Sequence, residues 1–313
     1  LGLDEIPLQN SDPRNQDAVQ LLGRPAGDGL ITIRETDRML VLSCEQFTYV
    51  FNKLTGLFDK MTFANEPLLD QPMGFNVWRA PTDNDRKLKA DWYAAHYDHA
   101  ATNAYHTEYT VTASGVTLHT HVGIAAICVQ KFLDLDVTWT VANNGSVDLA
   151  LHAQRNTVFP ELPRFGLRLF LPQEMSQVNY YGMGPMECYR DKHHAASHSS
   201  YTATVWQLHE DYIRPQENGS HFDCDYVMLA GDAVRLTAVG TQPFSFNASH
   251  YTQEELTRKA HNYELEPCGS TVLCLDYAQN GIGSESCGPR LLEQYRLDDA
   301  AFDFGLRLIP EKK

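Results

Sequence analysis

Leu133-Asp134-Leu135-Asp136-Val137-Thr138-Trp139-Thr140-Val141 alternates without a break. Leu133, Leu135, Val137, Trp139 and Val141 share one side; Asp134, Asp136, Thr138 and Thr140 share the other. A period of two marks a strand with one face in a core and one towards water. Asn143-Asn144-Gly145 then turns the chain into Leu149-Ala150-Leu151-His152-Ala153, so the segment predicts an antiparallel pair. Outward from this pair, the same reading predicts strands over 30–34, 39–42 and 47–51. It predicts others near 104–112, 116–122, 164–171, 223–229, 233–239, 271–277 and 302–309. Lys53-Leu54-Thr55-Gly56-Leu57 reads as a turn. Helical signals are few: a turn or two over Ala90 to Ala95, and Thr252-Gln253-Glu254-Glu255-Leu256, where Thr252 and Glu255 form a capping-box pattern. Many short strands separated by polar turns predict an all-β chain, a large antiparallel β-sandwich.

The breaker clusters Asn10-Ser11-Asp12-Pro13-Arg14-Asn15 and Gly23-Arg24-Pro25-Ala26-Gly27 make residues 1–28 loop-like, a linker or the tail of a preceding domain. Residues 29–313 are then one sandwich domain. The chain opens on Leu1 rather than Met and carries no signal-peptide pattern, so a fragment or processed product is expected.

A net charge of −15 over 313 residues sets the partners that suit it. Nucleic acid and anionic membrane both call for Lys/Arg patches, so neither is expected. No run reaches the ~18 apolar residues of a membrane span. The seven cysteines include no CxxC pair. Cys128, Cys224 and Cys274 lie in apolar or alternating runs and are expected to pack as small hydrophobes. A reducing, cytoplasmic setting without disulfides follows.

Polar residues concentrate in four segments. Arg79-Ala80-Pro81-Thr82-Asp83-Asn84-Asp85 places three Asx residues after a proline. They suit a cleft or interdomain face, or turn capping by their own side chains; the oxygen ligands of a Ca²⁺ loop are missing. Tyr180 to Asp191 reads as a loop in which Glu187, Tyr189, Arg190 and Asp191 form a charge-assisted network around Arg190. Arg214-Pro215-Gln216-Glu217-Asn218-Gly219 is the third. Gly281-Ile282-Gly283-Ser284-Glu285-Ser286-Cys287-Gly288-Pro289 is the fourth, and follows the apolar run Val272-Leu273-Cys274-Leu275. The four are expected on one side of the sandwich. His193, His194 and His198 invite a zinc reading, but adjacent histidines do not share a strand face and no carboxylate or thiol follows at zinc spacing. No metal site is expected.

Five motifs occur in order: Arg-Ala-Pro-x-Asp-Asn-Asp at 79–85, Gly-x-Gly-Pro-x-Glu-x-Tyr-x-Asp at 182–191, Pro-Gln-Glu-Asn-Gly at 215–219, Phe-Ser-Phe-Asn-Ala-Ser-His-Tyr at 244–251, and the Gly-Ile-Gly loop at 281–289. As a set they resemble the C-terminal domain, or separate small subunit, of the glycoside hydrolase family 2 β-galactosidases, over roughly residues 38 to 309. The resemblance implies a galactose-mutarotase-like supersandwich, the last of five domains. It implies that the acid/base and nucleophile glutamates, Mg²⁺ and Na⁺ belong to the central barrel and its neighbours, so this chain holds no catalytic residue and no cofactor of its own. The implied role is to complete one edge of an active site for terminal β-D-galactosides such as lactose. The implied partners are the catalytic barrel, in the same chain or a large subunit, and the galactoside, in an oligomeric enzyme. Substrate-lining residues carried over are Cys287, Ser286 and Glu285; Cys287 stands where relatives place a sugar-stacking Trp. Arg79, Asp83, Asn84, Asp85, Glu187, Tyr189, Arg190, Glu217 and Asn218 are expected at the cleft or interdomain face. The segment after Asp85 moves on ligand binding in some relatives; here Arg86-Lys87-Leu88-Lys89 is short and basic.

A second class of function stays open on the residues alone: a stand-alone carbohydrate-binding or aldose-epimerase-like sandwich. It would need a His acid and a Glu base in one cleft, for which His209 or His221 with Glu217 are candidates.

Overall fold

The computed structural model describes residues 14–283 and 287–313. Two antiparallel sheets account for about half of them. The smaller holds β1 (Thr32–Glu35), β2 (Met39–Ser43), β3 (Phe47–Asn52), β4 (Leu57–Phe63) and β5 (Glu66–Pro67), paired in chain order. The larger has twelve strands: β6 (Gln71–Asn76), β7 (Ala101–Thr112), β8 (Gly115–Ala125), β9 (Leu133–Ala142), β10 (Val147–Arg155), β11 (Arg164–Pro172), β12 (Gln177–Gly184), β13 (Ser197–Thr204), β14 (Ser220–Ala230), β15 (Val234–Ser249), β16 (Ser270–Gln279) and β17 (Ala301–Lys312).

The larger sheet forks at β15. Residues Val234–Gly240 pair with β17, which leads on through β10, β9, β8 and β7. Residues Ser245–Ser249 pair instead with β16, which leads to β11 and β6. One strand of sixteen residues therefore feeds two branches. Aromatic side chains fill the space between them: Phe165 of β11 meets Phe302 of β17 edge-on at 5.1 Å, and Phe302 stacks on Tyr277 of β16 at 4.3 Å.

The founding alternation holds. Leu133, Leu135, Val137, Trp139 and Val141 are buried, while Asp134, Asp136, Thr138 and Thr140 are half-buried or exposed. Trp139 pairs with Leu118 of β8 and Leu149 of β10. Its ring crosses to the small sheet, edge-on to Phe58 at 5.3 Å, and its indole N–H donates to the Gly56 carbonyl at 3.0 Å. Tyr49 ties the same two sheets by donating to the Gly145 carbonyl at 2.7 Å.

Helices are short. α1 (Gln16–Leu22) lies where the breaker clusters predicted only loop. Its N-cap Asn15 accepts from Asp17 N–H at 2.8 Å, and Ala18 buries against Tyr226, Val239 and Ile309. Seven residues do not hold a helix by themselves; docking on the sheet does. α2 (Leu88–Ala94) and α3 (Gln253–Arg258) stand where expected, the latter capped by Thr252 Oγ1 accepting from Glu255 N–H at 3.1 Å.

Other expectations change. The stretch from Tyr180 is not wholly loop, since its first residues complete β12. Leu30 and Ile31 stay outside β1, and Leu30 is exposed. Cys128 is exposed in a turn at φ +64°, whereas Cys224 and Cys274 pack inside as expected. No described helix is long and apolar enough to cross a membrane.

Candidate functional site

β16, buried from Ser270 to Asp276, delivers the chain at Gln279 to a strap, Asn280 to Gly283, and three other polar segments close on it. Arg79, which follows the buried Val77-Trp78 pair after β6, donates to the carbonyls of Asn280 and Gly281. Asn84 Nδ2 donates to the Ile282 carbonyl. The carboxylate of Asp191 accepts from Ile282 N–H at 3.0 Å and Gly283 N–H at 2.7 Å. Gln216 Oε1 accepts from Asp83 N–H at 3.0 Å, and Glu217 N–H donates to the Ala80 carbonyl at 3.0 Å. The four segments thus gather on one side, around a cleft of about 470 Å³ lined by Asp83, Asn84, Asp191, Lys192, Ile282 and Gly283, with Tyr212 and Glu217 behind. A neighbouring hollow of about 540 Å³ shares Asp191, Lys192 and Tyr212 and adds Glu187, His193 and His194.

Beneath the cleft lie buried charges. Arg79 holds Asp85 through two contacts, Nη2 to Oδ1 at 2.7 Å and Nε to Oδ2 at 3.2 Å, with its guanidinium 5.1 Å above the Trp92 ring. Asp85 also accepts from Thr82 N–H at 2.9 Å, closing the 3₁₀ turn Asp83–Arg86. Arg164, at the start of β11, is 0% exposed; it donates to Glu217 Oε1 at 2.6 Å, to Asn247 Oδ1 at 2.8 Å, and to both oxygens of Asp276. Burial pushes the Glu217 and Asp276 carboxyls up, with Arg164 working against it. Asn218 braces the same loop, accepting from Glu210 N–H at 3.0 Å and donating to the Gln216 carbonyl at 2.9 Å.

The expected network around Arg190 forms differently. Glu187 pairs with Lys192 at 2.8 Å, and accepts from Tyr212 and from Gly219 N–H at 3.0 Å. Tyr189 is buried and donates to Glu187 Oε2 at 3.3 Å, while Arg190 donates to the Arg296 carbonyl at 3.2 Å. Lys192 wins because the tight turn between Tyr189 and Lys192 folds it back over Glu187. Cys287 is exposed. Ser286 and Glu285 lie outside the described residues.

The histidines hold one surprise: His193 and His194 do come together, their rings 4.9 Å apart, yet His193 engages the Tyr189 carbonyl. Among the described residues no group of three His, Cys, Asp or Glu is arranged for a metal. His221 is buried, its Nδ1 near Tyr180 Oη and the Met183 carbonyl, and burial lowers its pKa to about 4. Neither His209 nor His221 lines the cleft that Glu217 lines.

The reading of residues missed Arg164 and Asp276; it placed Asp191 in the network around Arg190 and Asn247 only within the 244–251 motif. A signal existed for the first two. Each is an ionisable group inside an apolar strand, and a charge there requires a partner.

Glu187 makes the loop network pH-dependent. Burial alone raises its carboxyl, but hydrogen bonds from Lys192, Tyr212 and Gly219 outweigh this and hold it below the ordinary 4.5. A depressed carboxylate contributes stability that is complete above its unfolded value and lost as pH falls through the lower, folded one. Glu187→Gln is therefore expected to cost about 1–3 kcal/mol at pH 7, the worth of hydrogen bonds to a charged group. The gap to wild type narrows below pH 4.5. Thermal unfolding at several pH values checks this; a gap constant with pH rejects it.

Comparison with known proteins supplies the family. Residues 43–308 match the family model described as the β-galactosidase small chain. The chain is 43% identical over 267 residues to a β-galactosidase of Actinobacillus pleuropneumoniae, covering 85% of this chain and 26% of that protein. It is 35% identical over 309 residues to one of Staphylococcus xylosus, covering 98% and 30%. It thus spans about a quarter to a third of the length of these relatives. Among solved structures, a galactose mutarotase-like protein from Lactobacillus casei is similar over 87% of this chain and all of its own, with 10% identity and a TM-score of 0.48. From the match over most of its length, this chain belongs to the β-galactosidase small chain family.

Proposed function

We propose that this chain is the C-terminal portion of a β-galactosidase and completes one edge of an active site for terminal β-D-galactosides such as lactose. The two catalytic glutamates then stand in another domain or subunit. The observation that carries this reading is the single cleft on which all four polar segments converge. Its walls are built from backbone and from side chains already engaged, which suits a surface that shapes a ligand more than one that transfers protons. Glycoside cleavage needs two carboxyls about 5–10 Å apart, one of them poised as an acid. Here Glu217 is held by Arg164, Asp85 by Arg79, and Glu187 by Lys192, Tyr212 and Gly219. Cys287, exposed and four residues beyond Gly283, is the side chain we assign to the substrate edge. Arg79, Asp85, Tyr189, Glu217 and Asn218 scaffold that edge from beneath, and Asp83 and Asn84 stand at its rim.

The partner in this reading is the catalytic barrel, in the same chain or a large subunit of an oligomer. Mg²⁺ and Na⁺ would be held there. A cytoplasmic setting agrees with the cysteine usage. The epimerase-like alternative is disfavoured, because its acid and base would not share a cleft.

The test is turnover of a nitrophenyl β-galactoside. Purified 1–313 is expected to be inactive and to restore activity when combined with the complementary portion of the enzyme. Turnover by 1–313 alone that disappears in Glu217→Gln would overturn the reading.

A further inference from the structure

We infer that Asp191 is a positioning residue for the galactoside site: it holds the Ile282–Gly283 wall of the cleft in place without itself binding sugar. This rests on the reading above and adds to it a residue and a mechanism.

The strap is secured along its length by different partners. Asn280 N–H donates to the Pro163 carbonyl at 3.0 Å, and Gly281 N–H to the Tyr295 carbonyl at 2.9 Å. Arg79 takes the Asn280 and Gly281 carbonyls, and Asn84 the Ile282 carbonyl. Only at the outer end do two successive amides, of Ile282 and Gly283, rest on one side chain, and that side chain is Asp191. A carboxylate accepting two N–H groups fixes both peptide planes, with charge-assisted bonds stronger than neutral ones.

The anchor is itself rigid. Tyr189 and Lys192 exchange both backbone hydrogen bonds at 2.9 Å, which leaves Arg190 and Asp191 at the tip of a tight turn. Tyr189 is buried at its root. The fit is close on the other side too. A Cβ on Gly281 would lie 2.6 Å from Asp191 Oδ2, and one on Gly283 3.2 Å. Glycine at 281 lets the carboxylate reach its amides. Asp191 and the strap both line the cleft, so a shift of the anchor moves the wall that a ligand meets.

The experiment compares Asp191→Ala and Asp191→Asn with wild type in the complete enzyme. In Asp191→Ala, KM for a nitrophenyl galactoside is expected to rise about tenfold with kcat changed much less. Misplacing a positioning element by ~1 Å costs up to ~10²-fold, which sets the scale. Asp191→Asn keeps the shape but turns an NH₂ group towards one of the two amides, so an intermediate rise is expected. Hydrogen exchange of the Ile282 and Gly283 amides should accelerate in both variants. Unchanged exchange there overturns the inference and leaves the proposed function intact. Faster exchange with KM unmoved in both variants also overturns it, because the wall then meets no substrate. The combination assay above decides the broader reading separately.

Discussion

Arg164→Ala is expected to lower the thermal midpoint by roughly 10 °C, from a loss of about 3–5 kcal/mol when a buried ion pair loses one partner. The large effect comes from what remains. Glu217 and Asp276 are both fully buried around the guanidinium, and removing it leaves two carboxylates in the interior with neutral donors, Asn247 and the Ala80 amide on Glu217 and Gln279 on Asp276. They then take up protons or draw in water, and either outcome costs the packing between β11 and β16. Arg164→Lys is not a mild version, because one ammonium cannot reproduce the guanidinium fork that reaches Glu217, Asn247 and Asp276 together. A neutral set, Arg164→Met with Glu217→Gln and Asp276→Asn, should recover much of the loss, since well-packed replacement of buried ions is often tolerated. A shift within roughly 2 °C for Arg164→Ala, the range of ordinary surface substitutions, would sink this account.

Trp139→Ala should cost about 3–5 kcal/mol, the usual range for removing a large buried aromatic. The ring is an apolar bridge from β9 to the small sheet. It meets Phe58 edge-on, and Phe58 in turn meets Tyr49 and Phe51. The variant leaves a cavity between two sheets that do not share a strand, so little of the surroundings can close over it. It also strips the Gly56 carbonyl of its buried donor. Gly56 adopts φ +73° in the turn before β4, with the methyl of Val122 within 2.8 Å of where a Cβ would stand, so the turn has little room to reorient its carbonyl. Trp139→Phe keeps part of the volume and should lose less. Chemical denaturation followed by Tyr and Trp signals measures both. Equal losses for Phe and Ala would show that the hydrogen bond, not the packing, carries the effect.

The strands that were legible in the chain are those with one wet face and the continuous apolar run at 271–277, which is buried on both faces. From 133 to 141 every second residue faces water, and the pattern needs no knowledge of a partner. Strands β12 and β13 went unread because their polarity misleads. β12 contains Gly182 and Gly184 and enters a polar loop, while β13 is Ser-His-Ser-Ser-Tyr-Thr-Ala-Thr, a run with little apolar character. They are strands because β14 lends an edge to β12, and β12 lends its other edge to β13. α1 was missed for a related reason: Ala18 has nothing to bury against until β15 and β17 are in place.

What the chain determined alone was its period, its turns and the places where polar residues gather. These depend on neighbours a few positions apart, and the covalent chain supplies those neighbours. It also carried the resemblance that pointed to the family. The tertiary structure decided which polar residue meets which. Arg79 finds Asn280 across 201 positions, Arg164 finds Asp276 across 112, and Asp191 finds Gly283 across 92. No local rule selects such pairs, because they follow from which strands lie side by side and where β15 forks. The same closure turned Glu187 towards Lys192 rather than Arg190, and buried Arg79, Asp85 and Glu217 at the base of the cleft. A charge inside the fold must take the partner that geometry brings within hydrogen-bonding reach, and that geometry exists only once the sheets have assembled.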